Sequence, residues 1–554
     1  MMSNKKRLTL DIETNIAHNI IWGCVTEDHE TGEVLVHTSP ESLKPLLPQY
    51  DEIVGHNLIG FDAPKIRELW DITIKKSQAV DTLVLSRLLN PVIEGGHSLR
   101  AWGVRLGGDG KIDFNDYDGG WTAEMEKYCI QDVRLTTKVY KEIMQHYAKW
   151  RDPTKAVTLA HDLFMETCKQ ERTGFKLDVP KAQMLHAQLS DRMATIEDTL
   201  QEKFEPIVEE RWSEKTGKQL KDRITTFNVG SRKQIAERLQ SLGWIPDKFT
   251  EKGSVIVDET TLETVDIPEA QQIAEYLMLQ KRVGLLDSWL KHVDRKDNRV
   301  HGRIIPYGTI TGRASHHSPN LGQVPSVKKP FGQECRELFT VDDGNMLCGV
   351  DLSGIELRCL AHYMQDDEWT EELLNGDVHQ KNAEAAGVSR DQAKTLIYAT
   401  LYGAGPAKVG SIVGGGAKEG SAILDRFYRN TPKLRELMEK IARLANKGYV
   451  PGLDGRRILV RSEHAALNTL LQGCGATIAG QWVVETNKAL RKARLDANQV
   501  AFVHDEIQIE CKADVAEDVA SIAVDCAKRA GEILGFRVPV DAEAKIGRNW
   551  YETH

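Results

Sequence analysis

The chain has 554 residues, a formal net charge of −9 and a charged fraction of 28%, a length that accommodates about three or four domains. This composition excludes a disordered or fibrous protein, and the negative charge excludes blanket attraction to polyanions while leaving room for local basic grooves. Nine cysteines without a CxxC pair argue against a zinc ribbon or a disulfide scaffold and place the chain in a reducing cytoplasm. No apolar run is long enough to span a membrane, and the start MMSNKKRLTLDIET lacks the apolar core of a secretory leader.

Residues 1 to about 145 mix short strands (Arg7 to Ile12, Glu33 to His37) with helices, the pattern of an α/β domain. In LTLDIETN, Asp11 and Glu13 stand two apart on a strand, so both carboxylates point to one face. Two adjacent carboxylates repel unless a cation neutralises them, and a hard divalent ion accepts such an oxygen-rich site. VGHNLIGFDAPKI adds Asn57 and Asp62, and EKYCIQDVRLTTKVY adds Tyr128 and Asp132 at i, i+4 spacing on one helix face. Together with SLRAWGVRLG, these motifs resemble the DEDD 3′–5′ exonucleases, in the variety that carries a tyrosine. The resemblance implies an RNase H-like domain in which Asp11, Glu13, Asp62 and Asp132 hold two metal ions and Tyr128 orients the attacking water.

Residues 154 to about 290 read as mostly helical. Within them, KTGKQLKDRITTFNVGSRKQIAER concentrates cations, which alone reads equally as a solvated helix face. Strand signals return from about 295 to 360, where CGVDLSGIELRCLAHY sets Asp351 at the end of an apolar strand and Glu356 at a helix start. An aspartate ending a strand is commonly a turn residue. In GVSRDQAKTLIYATLYGAG, Arg390, Lys394, Tyr398 and Tyr402 recur at steps of four and form one slowly drifting helical stripe. Two cations followed by two phenols suit a triphosphate with a base or sugar beside it. Finally, VAFVHDEIQIEC reads as a hairpin in which Ile507, Ile509 and Cys511 alternate with Gln508 and Glu510. His504, Asp505 and Glu506 interrupt it.

Asp351, the Arg390 stripe with Gly403, and VHDE resemble, in order, motifs A, B and C of the family A DNA polymerases. TGRASHHSPNLGQVP, LLNGDVHQKN and HAALNTLLQGCGATI also match that family, so the likeness covers residues 295 to 550. It is nearest to the replicative polymerases of short-tailed bacteriophages. The implied fold is an α/β multidomain chain, with an exonuclease domain (1–150) followed by a right hand of thumb (151–294), palm (295–355 and 465–554) and fingers (356–464).

The implied activity is template-directed addition of dNTPs to a primer, with proofreading. Asp351, Asp505 and the Leu352 carbonyl would hold two Mg2+, with two more at the exonuclease site and Mn2+ as a substitute. Arg390, Lys394 and His379 would contact the triphosphate. Tyr398 and Glu356 would meet the sugar, and Tyr402 the templating base. Arg313 and Gln472 would read minor-groove acceptors at the primer end. His504 and Glu506 would support that end, and Ser231, Arg232 and Lys233 would grip duplex phosphates at the thumb tip. The resemblance also implies a replisome helicase-primase as partner and a bacterial host cytoplasm as location. Phage relatives bind host thioredoxin through a large thumb insertion. The stretch here is short, which argues against that partner. No 5′-nuclease domain is expected before Arg7, which favours a replicative role.

Overall fold

The structure, a computed structural model, describes residues 5–108, 113–250 and 252–554. The first four residues of the leader reading lie outside the described residues. A five-stranded sheet forms the N-terminal domain, in the order Val34–His37, Ile21–Asp28, Arg7–Thr14, Glu52–Gly55, Ala79–Asp81. It is antiparallel on the first side and parallel on the second. Strand alternation sorts the central strand: Leu8, Leu10 and Ile12 enter one core with Leu43, Ile53 and Ile66, leaving Thr9, Asp11 and Glu13 on the other face. The Ala123–Tyr147 helix covers that second face with a buried stripe that includes Met125, Cys129, Asp132 and Thr136, at steps of three or four.

The Thr154–Thr173 helix is a strut between the N-terminal domain and the C-terminal sheet. His161 accepts the Asp81 N–H at 2.9 Å and donates to the Val157 carbonyl at 2.8 Å, which fixes a neutral ring. On the opposite side, Arg491 forks onto buried Glu166 with two bonds of 2.8 Å. Beyond it, the long helices Val179–Lys203 and Pro268–His292 pack side by side. Between them the basic run divides: Gln219–Thr225 pairs with Ile207–Trp212 as an exposed hairpin, and Arg232–Ser241 forms a short helix.

The C-terminal sheet has the order Ala497–Val503, Glu506–Lys512, Asn345–Leu352, Ala542–Gly547, all antiparallel. Cys348, Val350, Ile507 and Ile509 point into the main core with the Ala466–Ala493 and Ala516–Leu534 helices. The polar face is buried too, beneath residues 549–554. Gly349 permits this, because a β-carbon there would fall 2.3 Å from the Thr553 carbonyl oxygen. Trp550, Phe175, Trp289 and Phe339 pack with centroids 5.1–5.6 Å apart and join this cover to the base of the long helices. A helical layer from Ile355 to Ala445 rises from the sheet. Among the described residues, no helix is long and apolar enough to cross a membrane.

Candidate active sites

Four acidic side chains converge in the N-terminal domain. Asp11 and Glu13 come from the central strand, Asp62 from the turn after Asn57, and Asp132 from the covering helix. Glu13, Asp62 and Asp132 are 6%, 2% and 1% exposed, and Asp62 accepts the Ile12 N–H at 3.2 Å. Cys129, which the sequence reading passed over, brings its sulfur within 4.8 Å of ligand atoms of Asp11 and Glu13. Burial and then those carboxylates hold its thiol protonated. Tyr128, one turn before Asp132, is buried with its hydroxyl 3.3 Å from that of Tyr117. Burial and the Tyr117 bond raise its pKa, with Asp132 and Glu13 adding to the shift, so it stays a neutral donor. A buried all-oxygen set of this charge fits hard divalent cations.

The second cluster is built on strand register. Asp351 stands directly opposite Glu506 and, on its other side, Glu543. A tight turn through His504, in the left-handed region at φ +58°, places Asp505 beside Asp351, and the Leu352 N–H donates to the Asp505 carbonyl at 3.0 Å. Surrounding protein, then Asp505 and Glu506, push the Asp351 carboxyl up to about 7, although the side chain is open to the cleft. Burial raises Asp505 as well, partly offset by its own backbone N–H and by Arg313. Two neighbouring carboxyls that resist ionising together form another hard-cation donor set.

Glu506 behaves differently. It is 6% exposed and accepts from Trp550 Nε1, from Gln508 at 2.7 Å and from His554 at 3.0 Å, with Arg336 at 3.8 Å. Its pKa falls despite burial because His554, Arg336 and Trp550 favour the anion. Its oxygens are thus occupied, which makes it a brace beneath the pair. His554, Trp550 and Arg336 had no local signal in the sequence.

The cationic stripe lies on the Arg390–Leu401 helix, started by a capping box of Ser389 and Gln392. Arg390 bonds Asp377 at 2.6 Å, and Asp377 also caps the preceding helix, Val378–Ala386, through the His379 N–H at 3.1 Å. His379 carries an Nδ1 with no hydrogen-bond partner among the described residues. Its pKa is lowered by burial and by Lys394 and Arg390. Tyr398 is half-buried, and burial followed by Glu356 raises its pKa. The Tyr402 hydroxyl donates to Glu356 at 2.9 Å, Arg313 lies 3.5 Å from the same oxygen, and Gln472 adjoins the phenol. Gly403 ends the helix at φ +74°, with its missing side chain 2.5 Å from the His464 carbonyl oxygen. Ser231, Arg232 and Lys233 stand apart from both clusters, at the start of the short helix between the long ones, where Ser231 caps the Gln234 N–H.

Residues 191–552 match the model of DNA polymerase family A, and the chain belongs to that family: it is a DNA-directed DNA polymerase. Similar proteins include the DNA-directed DNA polymerases of Enterobacteria phage T3 and Escherichia phage T7. Each is 33% identical, with 91% of this chain and 92% of the relative covered. The fold is similar to the POL domain of Pol1 from M. smegmatis, solved in complex with DNA primer-template and dNTP. That likeness has a TM-score of 0.82 at 18% identity and covers 100% of this chain and 97% of the other.

Proposed function

We propose that the chain extends a primer on a DNA template at the Asp351–Asp505 centre and removes misincorporated 3′ nucleotides at the N-terminal centre, in replication of a phage genome in the bacterial cytoplasm. The observation that carries this reading is the Asp351–Asp505 pair, in which burial raises both carboxyls and Asp505 raises Asp351 further, flanked by the Arg390–Tyr402 stripe. Asp351, Asp505 and the Leu352 carbonyl would hold two Mg2+. When bound, these ions supply a lowered hydroxyl pKa and neutralisation of pyrophosphate charge.

The residues of the chain do the positioning. Arg390, Lys394 and His379 bind the triphosphate, which requires Arg390 to exchange Asp377 for phosphate. Tyr398 packs on the sugar, and Glu356 crowds a 2′-hydroxyl. Tyr402 leaves Glu356 to stack beside the templating base. Arg313 and Gln472 read minor-groove acceptors, and His504 and Glu506 steady the primer end. Ser231, Arg232 and Lys233 meet duplex phosphates at a helix N-terminus.

At the other centre, Asp11, Glu13, Asp62 and Asp132 would hold metal, and the Tyr128 hydroxyl orients water. We divide the chain as thumb, palm and fingers at the boundaries given above, with Thr154–Thr173 as a strut. A helicase-primase is the expected partner, and the short exposed hairpin at Ile207–Thr225 offers no large thioredoxin-binding insertion. Primer extension with one dNTP withheld tests the reading: products should stop where the template calls for the missing nucleotide. Stops that ignore the template would refute it.

A further inference from the structure

One buried carboxylate of the N-terminal domain stands outside the four-acid cluster. Asp81, at 0% exposure, ends the edge strand Ala79–Asp81 and caps the Thr82–Leu89 helix. A cap needs one oxygen, and Oδ1 serves it by accepting the Leu83 N–H at 2.9 Å and the Val84 N–H at 3.4 Å. The same oxygen also accepts the Asn57 N–H at 3.0 Å, and Oδ2 is given over to the Ile59 N–H at 2.9 Å. Half of its bonds therefore leave the helix it starts and run to another element.

That element is the turn that carries Asp62. It begins at Asn57, in the left-handed region at φ +68°, and widens over Leu58–Asp62 so that the Ala63 N–H reaches back to the Leu58 carbonyl. Wide turns and left-handed residues cost free energy and recur where a side chain has to be aimed. Gly60 makes the turn tight: a β-carbon there would fall 2.4 Å from Asn57 Oδ1 and 3.3 Å from the Phe164 ring. At the end of the turn, the Asp62 carboxylate accepts the Ile12 N–H at 3.2 Å, on the strand that bears Asp11 and Glu13. Asp81 satisfies two main-chain donors at the start of the turn, which buried backbone requires.

Asp81 is itself held from the strut. Its own N–H donates to His161 Nε2 at 2.9 Å, and the His161 Nδ1–H is committed to the Val157 carbonyl at 2.8 Å. Phe164, one helical turn on, lies against Gly60. Further along the strut, Gln170 accepts from Gln499 at 2.7 Å, on the strand that leads to the His504 turn.

We propose that Asp81 is a positioning residue of the N-terminal centre: through the Asn57 and Ile59 N–H groups it fixes the turn that aims the Asp62 carboxylate, and His161 of the strut holds Asp81 in place for that task. The proposal rests on the reading that this centre binds divalent metal and degrades strand ends. Its test uses the full chain and reads metal directly. In a background of Asp351→Asn with Asp505→Asn, so that the C-terminal pair does not compete, Mn2+ binding is followed by electron paramagnetic resonance. Asp81→Asn keeps an oxygen for the helix cap and turns its amide N–H groups toward the Ile59 N–H, donor against donor.

Asp81→Asn should weaken Mn2+ binding by about tenfold or more, the scale of losing a group that orients a metal-binding carboxylate. With Asp351 and Asp505 intact, the Mg2+ concentration for half-maximal degradation of single-stranded DNA should rise by the same factor. Most of the rate should return at saturating Mg2+, and primer extension should be unchanged. Ser98→Ala removes the cap of the Leu99–Arg105 helix in the same domain without touching the turn, and should shift neither metal dependence. His161→Gln should give a smaller loss of the same kind, and it carries the test if Asp81→Asn leaves the domain unfolded by circular dichroism. Unchanged Mn2+ affinity in the folded variants, or an equal loss in Ser98→Ala, would overturn the proposal. If the unsubstituted chain degrades no DNA while Mn2+ binding still weakens in Asp81→Asn, the nuclease reading fails and the positioning role stands.

Discussion

In the N-terminal cluster, Glu13, Asp62 and Asp132 are almost inaccessible and belong to a strand, a turn and a helix of one domain. In the C-terminal cluster, Asp351 and Asp505 sit at a strand end and a hairpin turn open to a cleft, and their cationic counterpart rides on a separate helical layer. The first set is rigid because the sheet and its covering helix position the carboxylates before any substrate arrives. On the proposed reading, the second would be completed only when the helical layer meets nucleotide. Its groups are satisfied meanwhile by internal partners: Arg390 by Asp377, and Tyr402 by Glu356. Partner exchange of this kind would let a correct nucleotide drive assembly of the site.

This contrast can be broken most strongly at Asp351. Asp351→Asn is expected to lower the extension rate by roughly a thousandfold or more, as expected for losing preorganised charge at the reacting centre. It should leave single-strand degradation within about twofold, read by quenched-flow on labelled DNA. The next largest effect is on stability. Trp550→Ala removes a fully buried ring and the Glu506 brace, and should cost about 3–5 kcal/mol in denaturant unfolding, with extension impaired and the N-terminal cluster intact.

A pH series sharpens the comparison further. Below about 7 the Asp351 carboxyl holds a proton that Mg2+ must displace. Apparent Mg2+ affinity there should fall about tenfold per unit of further acidification, with a proton released on binding, which calorimetry in two buffers of different ionisation enthalpy detects. The folded value lies above the usual 3.8, so the proton favours the folded chain in acid. That contribution is lost as pH rises through about 7, and thermal unfolding in chelator should show it. Both dependences should vanish in Asp351→Asn. The smallest effect concerns Asp377→Asn, which keeps the helix cap but weakens the hold on Arg390. KM for dNTP should drop by about two- to fourfold, the scale of an exposed ion pair, with kcat unchanged in steady-state assays.

Much of both clusters was legible because their residues carry local periods. Asp11 and Glu13 share a strand face, Tyr128 and Asp132 share a helix face, and the Arg390 stripe repeats every four residues. What stayed hidden depends on segments remote in the chain. Gln508 and Glu510 alternate with apolar residues and so read as half-solvated, yet residues from 549 onward bury Gln508, and Glu510 is held by Arg299 at 2.7 Å. The basic run read equally well as a helix face. Part of it became a hairpin, because Val208 and Ile224 pair across two strands. The strut at Thr154–Thr173 looked like the start of a helical domain, and only Asp81 and Arg491 reveal its role. Periodicity reports which face a residue occupies; it is silent on what covers that face.

The most direct test uses one labelled primer-template with a mismatched 3′ end, Mg2+ and dNTPs, and compares two variants of the full chain. Asp505→Asn should shorten the primer and fail to extend it, while Asp11→Ala with Glu13→Ala should leave the primer undegraded and retain synthesis on a matched end. Extension by Asp505→Asn at the unsubstituted rate, or loss of both activities from either variant, would contradict the account of two separate centres.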